Sequence, residues 1–275
     1  MKGRLPNLLV IGAMKSGTTS LHDYLDLHPD IYMSKPKEVH FYADSNFSEE
    51  RREAYMNLFK TSHKIVGTSP QSYTKCHNKY YKNIPERIFN DTPNVKMIYL
   101  VRDPIERYKS HILESYHCDP KEDIRYSKES GNYWKTSMYG MQLEAYLKFF
   151  PIHQIHIMCL EDLKENPLRT MNKAFSFLGL EEMKEDKGFS DVKNAASTKA
   201  IPRVIKENIL HRIGMKINST ITTKISEVLA QKFYANQLKK PQLSDLQIAE
   251  LTEKLKDDMT LFRALTKKEF PKWSI

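Results

Sequence analysis

Hydrophobic positions along the chain follow two periods. Short unbroken apolar runs occur at residues 8–11 (LLVI), 65–67 (IVG), 96–101 (KMIYLV) and 154–160 (QIHIMCL), the length of strands buried on both faces. Between them, apolar residues recur every three or four positions. This spacing predicts helices over 18–27, ended by His28-Pro29, and over 48–60, with Tyr55, Met56 and Phe59 on one face. Further helices are expected at 81–89, from about Ile105, at 137–150, and at 167–178 with Pro167 in the first turn. Ile205, Ile209, Ile213 and Ile217 recur every four residues and predict one basic amphipathic helix over 203–217. A last helical stretch covers 243–265, followed by Phe270 and Trp273. Residues 115–135, polar and broken by Pro and Gly, read as a mobile surface segment, and 181–202 as a loop. Strands alternating with helices make this an α/β chain with a parallel sheet and right-handed crossovers, expected as one domain over 1–275.

Composition narrows the class. The chain has 275 residues, 40% hydrophobic and 28% charged, which suits a globular protein with a sizeable core. No apolar run approaches the roughly 18 residues of a membrane span, and no signal-peptide core precedes the first strand. Cys76, Cys118 and Cys159 are too scattered for a disulfide framework or a zinc site. The expectation is a cytoplasmic protein, or a Golgi-lumenal one if a membrane stem has been removed. The net charge of +9 is uneven: between Lys199 and Lys240 nine basic residues face two acidic ones, a net +7. Such a stretch attracts anions or forms a solvated helix face.

Candidate chemistry begins where the first apolar run ends, in GAMKSGTTS (residues 12–20). A glycine-rich turn leading into a helix leaves unpaired N–H groups and the positive end of the helix dipole for an anion. Gly17 permits close backbone approach, Ser16, Thr18, Thr19 and Ser20 bring hydroxyls, and Lys15 a full charge. Nucleoside-triphosphatase loops place Lys directly after the second glycine. Here Thr18 holds that place and Lys15 lies inside the loop, so the triphosphate reading is weakened. The KMIYLV run also ends in phosphate-binding chemistry, Arg102 and then Ser110. In an open parallel sheet both would face the crevice at the strand ends, two anion sites for one ligand.

With these pieces in place, the chain resembles the sulfotransferases that use 3'-phosphoadenosine 5'-phosphosulfate (PAPS), in the group of the heparan sulfate enzymes and bacterial glycan or polyketide sulfotransferases. The matching segments are GAMKSGTTS, LHPDI, PKEVHFY, RDPIERYKS, and LEDLKENP followed by AFSFLGL. The resemblance implies a P-loop-like three-layer α/β/α fold with a central parallel sheet, PAPS as donor, PAP as product, and no metal. It implies that Lys15 neutralises the oxygen bridging sulfate and 5'-phosphate, that Arg102 and Ser110 hold the 3'-phosphate, that Glu38 is the general base, and that His40 orients it or the acceptor. The acceptor would be a hydroxyl, with an amine as alternative, on a glycan, a small natural product or a carrier-bound acyl chain.

Three departures touch the acceptor side and the cofactor cap. Ala43 intervenes before Asp44, Thr68 stands where the 3-O-sulfotransferases carry Lys before Ser/Thr-Pro, and Ala195–Ala200 replaces the glycine-rich capping loop. Lys199 and Arg203 are the remaining basic candidates for the cofactor.

Two other classes compete. A nucleotide-dependent kinase would need a Mg²⁺-holding acid after a strand, for which Asp103 is the good candidate. A non-catalytic basic module would use 199–240 on nucleic acid or an anionic membrane. Phe233 and Tyr234 are the only aromatics in that stretch, which argues against base stacking and for no nucleic-acid partner, while the 203–217 helix keeps surface attachment open.

Overall fold

The computed structural model describes residues 2–44, 48–81, 83–116, 124–186, 188–189, 201–233 and 242–275. The chain runs β1 (Leu8–Gly12), α1 (Thr18–Asp26), β2 (Ile31–Met33), α2 (Glu49–Asn57), β3 (Ile65–Thr68), α3 (Ile84–Asp91), β4 (Lys96–Val101) and α4 (Pro104–His111). There follow α5 (Ile124–Glu129), α6 (Asn132–Lys135), α7 (Tyr139–Leu147), β5 (Ile155–Cys159), α8 (Leu160–Glu165) and α9 (Pro167–Leu178). The C-terminal part holds α10 (Arg203–Glu207), α11 (Ile209–Ile217), α12 (Ser219–Phe233) and α13 (Asp245–Thr266).

The five strands form one parallel sheet in the order β2-β3-β1-β4-β5. Side chains alternate across it, so β1 feeds two cores. Leu8 and Val10 pack with Ile98, Leu100 and the inner faces of α1 and α9. Leu9 and Ile11 pack with Met97, Tyr99, Tyr139 and Phe262, beneath α7 and α13. Helices on both faces of a parallel sheet are the expected three-layer α/β/α architecture. All five β1 residues are buried, each large one contributing about 1.5–3 kcal/mol.

Parallel strands point their carboxyl ends one way, and β1, with β3 on one side and β4 on the other, sits at the switch point of the strand order. The segments after the strands therefore meet at one edge, with GAMKSGTTS at the end of β1, PKEVHFY after β2 and RDPIERYKS after β4.

Five stretches differ from the sequence expectation. The edge strand β2 has three residues, too few to register as a run. The 203–217 helix is two: Asn208 is extended (ψ 135°) and caps α11 by accepting from the Leu210 N–H at 2.8 Å. The helices α8 and α12 lie where none was expected. The described residues between 115 and 135 are not simply a loop. Helix α4 runs into a π-turn over Ile112–Tyr116, α5 and α6 follow, and Ser127, Asn132 and Tyr133 are buried.

Candidate active site

The β1–α1 loop is shaped by three left-handed or otherwise glycine-favouring positions. Gly12 has φ 152°, and a Cβ there would stand 2.0 Å from Thr74 Oγ1. Gly17 has φ 90° and would drive a Cβ to 2.8 Å from Leu160 Cδ1. Lys15, with a side chain, nonetheless adopts φ 69°, a conformation a non-glycine residue holds at a cost and typically where function requires it. Gly17 is the N-cap of helix α1 and offers no side-chain cap, and the first turn holds no acid, leaving the N-terminal amides open to an anion. Ser16 is fully buried; its hydroxyl lies near the Tyr139 phenol but makes no hydrogen bond of proper geometry. Thr18 is buried, and Thr19 and Ser20 follow on the first turn of α1.

The two predicted anion sites converge. Arg102, leaving β4, donates from Nη1 to the Lys15 carbonyl at 3.5 Å and from Nη2 to Glu106 Oε2 at 3.2 Å. Lys15 Nζ is 2.7 Å from Glu114 Oε2 in the π-turn, its side chain 13% exposed. Ser110 is buried on α4. One turn before it, Arg107 is fully buried: Nη1 meets the Met14 carbonyl at 3.5 Å and His111 Nδ1 at 3.1 Å, and Nε donates to Ser137 Oγ at 2.6 Å. It also bonds the Tyr133 carbonyl. Burial lowers its pKa to about 10, so it stays charged at neutral pH. In the sequence Arg107 stands with Ser110 on the first turns of the helix, inside RDPIERYKS, where its letter alone assigns it no role; the i,i+3 spacing to Ser110 is the available signal.

Glu38 and His40 also come together. Glu38 Oε2 is 3.5 Å from His40 Nε2 and Oε1 accepts from Lys37 Nζ at 2.6 Å. Burial alone would raise the Glu38 pKa, but the hydrogen bonds from His40 and Lys37 and their charges outweigh it and hold the carboxyl at about 2. His40 Nδ1 pairs with Ser72 Oγ at 2.7 Å. The loop is stitched to the end of β3: Ser69 N and Thr68 Oγ1 donate to the Lys37 carbonyl at 3.2 and 3.1 Å. Lys37 Nζ reaches the Ser69 carbonyl at 3.3 Å, so an ammonium stands beside the T-S-P turn although position 68 is Thr. This second residue was missed because a lysine among loop charges reads as solvated. Ser69 Oγ in turn pairs with His22 Nδ1 on α1 at 2.8 Å. Burial, with Lys37 nearby, lowers His22 to about 4, leaving it neutral. A cavity of about 330 Å³ lined by His40, Asp44, Ser72 and Lys75 opens beside the cluster. Larger cavities lie elsewhere, beside β5 and between α10 and α12.

Other candidates are accounted for differently. Asp44 pairs with Arg51. Asp103, the acid a kinase would need, is buried as the N-cap of α4: Oδ1 accepts from Glu106 N at 2.9 Å and Oδ2 from Ser274 N and Oγ at 2.5 and 2.7 Å. Among the described residues no group of three His, Cys, Asp or Glu is placed to hold a metal ion. Lys199 and the Ala195–Ala200 segment lie outside the described residues, as does the Arg203 side chain.

Comparison with known proteins shows the family and the fold. The sulfotransferase domain family matches residues 5–262. Over 194 residues the chain is 29% identical to mouse heparan sulfate glucosamine 3-O-sulfotransferase 5, covering 64% of this chain and 54% of that one. It is 26% identical over 305 residues to human carbohydrate sulfotransferase 15, covering 84% and 54%. The chain thus spans about half the length of these relatives. A sulfotransferase from Alicyclobacillus acidocaldarius superposes with a TM-score of 0.65 at 20% identity, over 99% of this chain and 100% of that one, a likeness of fold. The chain belongs to the sulfotransferase domain family.

Proposed function

We propose that the protein transfers a sulfuryl group from PAPS to a hydroxyl group of a carbohydrate, with Glu38 as the general base. The observation that carries this reading is the convergence of the β1–α1 loop and Arg102 at one sheet edge, with the Glu38 cluster on the adjoining strand end. When bound, PAPS supplies an activated sulfuryl group with PAP as leaving group. The residues fit such a donor: uncapped α1 amides, the orphaned Ser16 hydroxyl and Lys15 suit a 5'-phosphosulfate, and Arg102 with Ser110 a 3'-phosphate.

Roles follow from position. Lys15 offsets negative charge at the bridging oxygen, electrostatic help that acts where charge develops. Arg102 gives planar, two-pronged recognition of a phosphate. Arg107 is buried too deeply to meet a ligand from solvent and instead holds the Met14 carbonyl, fixing the loop against α4. Glu38 accepts the acceptor's proton in step with attack, since a carboxylate is a weak base toward a free alcohol. Lys37 and His40 keep it ionised and oriented.

A carbohydrate acceptor is favoured by the relatives, which are named for heparan sulfate and carbohydrate substrates. Calorimetric titration with PAP against ATP plus Mg²⁺ tests the donor: PAP binding is expected, and ATP binding without PAP binding would overturn the reading. A ³⁵S-PAPS screen over glycans, small natural products and carrier-bound acyl chains, with hydroxyl and amine acceptors in each, then tests the acceptor.

A further inference from the structure

Eleven of the sixteen exposed large hydrophobic side chains among the described residues lie between Val204 and Phe233. They are ordered. Helix α11 exposes Ile209, Ile213 and Ile217, and α12 exposes Ile221, Ile225 and Val228. Spacings of three and four put each trio on one stripe of its helix. The stripes are not the surface by which the helices hold each other. His211 Nδ1 meets Ser226 Oγ at 2.8 Å, and Gly214 packs so closely on α12 that a Cβ would stand 2.7 Å from Thr222 Oγ1. Ser226 and Ala230 are buried. With the hairpin's contacts made through these small residues, the isoleucine stripes remain toward solvent. An apolar surface of this extent marks an interaction site.

Charge selects the occupant. Arg212, Lys216, Lys224 and Lys232 are exposed on the same two helices, whose one acidic residue is Glu227. A second copy packed face to face would bring like charges together. An anionic lipid surface instead meets both features: headgroups take the lysines and arginine, whose aliphatic stems lie along the apolar boundary, and the isoleucines enter that boundary. No described helix is long and apolar enough to cross a membrane, so the helices would lie in the interface plane. We propose that the α11–α12 hairpin docks the protein on anionic phospholipid surfaces. The proposal is independent of sulfuryl transfer, and PAP titration reports separately on the donor site.

The test is flotation of the full chain with phosphatidylcholine vesicles and with vesicles containing roughly one-third phosphatidylglycerol. Partition at least about tenfold higher on the anionic vesicles is expected, with a measurable part surviving ~0.5 M salt because the isoleucines insert. The I213D/I217D double variant should lose at least about tenfold in partition with PAP affinity and thermal midpoint unchanged. If its midpoint falls, the K216E/K224E variant probes the same surface by charge alone and should lose binding comparably. Equal absence of wild-type binding on both vesicles overturns the proposal, as does binding abolished completely by salt. Light scattering that finds a dimer which the I213D/I217D variant converts to monomer overturns it in favour of a second copy.

Discussion

Glu38 is the residue on which the proposed chemistry turns, and its neighbours decide its character. With Lys37 on one oxygen and His40 near the other, the carboxyl titrates at about 2 rather than in the usual range. A depressed carboxylate contributes stability that is present above its unfolded value and lost as pH falls toward 2. The same shift keeps Glu38 ionised through the ordinary carboxylate range, so the pH–rate profile should show no acidic limb near ~4.5. Glu38→Gln should lower kcat by about 10²- to 10⁴-fold with PAP affinity nearly unchanged; persistent turnover would move the proton to His40 or His22. Lys15 makes a contrasting case. Its ammonium is paired with Glu114, a contact an anionic donor would displace. Lys15→Ala should remove turnover and weaken PAP binding, whereas Glu114→Gln should tighten PAP binding by about 0.5–1 kcal/mol, the scale of a part-exposed pair. Titration calorimetry on the two variants checks both signs.

At the scale of elements, the helix pair α7 and α13 supports the β4 side of the site. Gly140 lies so close to α13 that a Cβ would meet the Asp258 carbonyl at 2.6 Å and Phe262 N at 3.1 Å. Asp258 accepts from Gly140 N and Met141 N at 2.9 and 2.7 Å, while burial raises its pKa to about 6. Gly140→Ala should therefore push the helices apart and cost about 1–3 kcal/mol, read as a thermal midpoint lower by several degrees. Tyr139, the neighbour of Gly140, donates its hydroxyl to the Arg102 carbonyl at 2.8 Å, so the same variant should weaken PAP binding if α7 shifts. Elements whose pattern ran for a full strand or several turns were legible: β4 and α9 have the expected bounds, because burial on both faces or one clean face leaves a period to read. The strand β2 was too short to register, and α12 opens on a run of Ser, Thr and β-branched residues, types with weak helix preference, which masks its helical spacing.

Over the whole molecule, the net charge of +9 and the cationic site predict that PAP affinity weakens as salt rises. A several-fold increase in Kd between ~0.05 and ~0.5 M salt is expected, mostly through a slower on-rate. A salt-independent Kd would show that local contacts alone govern binding. The sequence by itself determined the alternating α/β order and the glycine-rich loop carrying Lys15 at the end of the first strand, because these are read from short-range pattern and residue type, whereas Glu38 and His40 stood out only through the resemblance of PKEVHFY to a family motif. Tertiary structure decided what depends on approach across the sheet. It set the Arg102 guanidinium on the Lys15 carbonyl and buried Arg107 beneath the loop. It brought Lys37 to the end of β3 and engaged both oxygens of Asp103. A charged side chain has the same letter whether solvated or buried, and only the packing of distant segments chooses between the two.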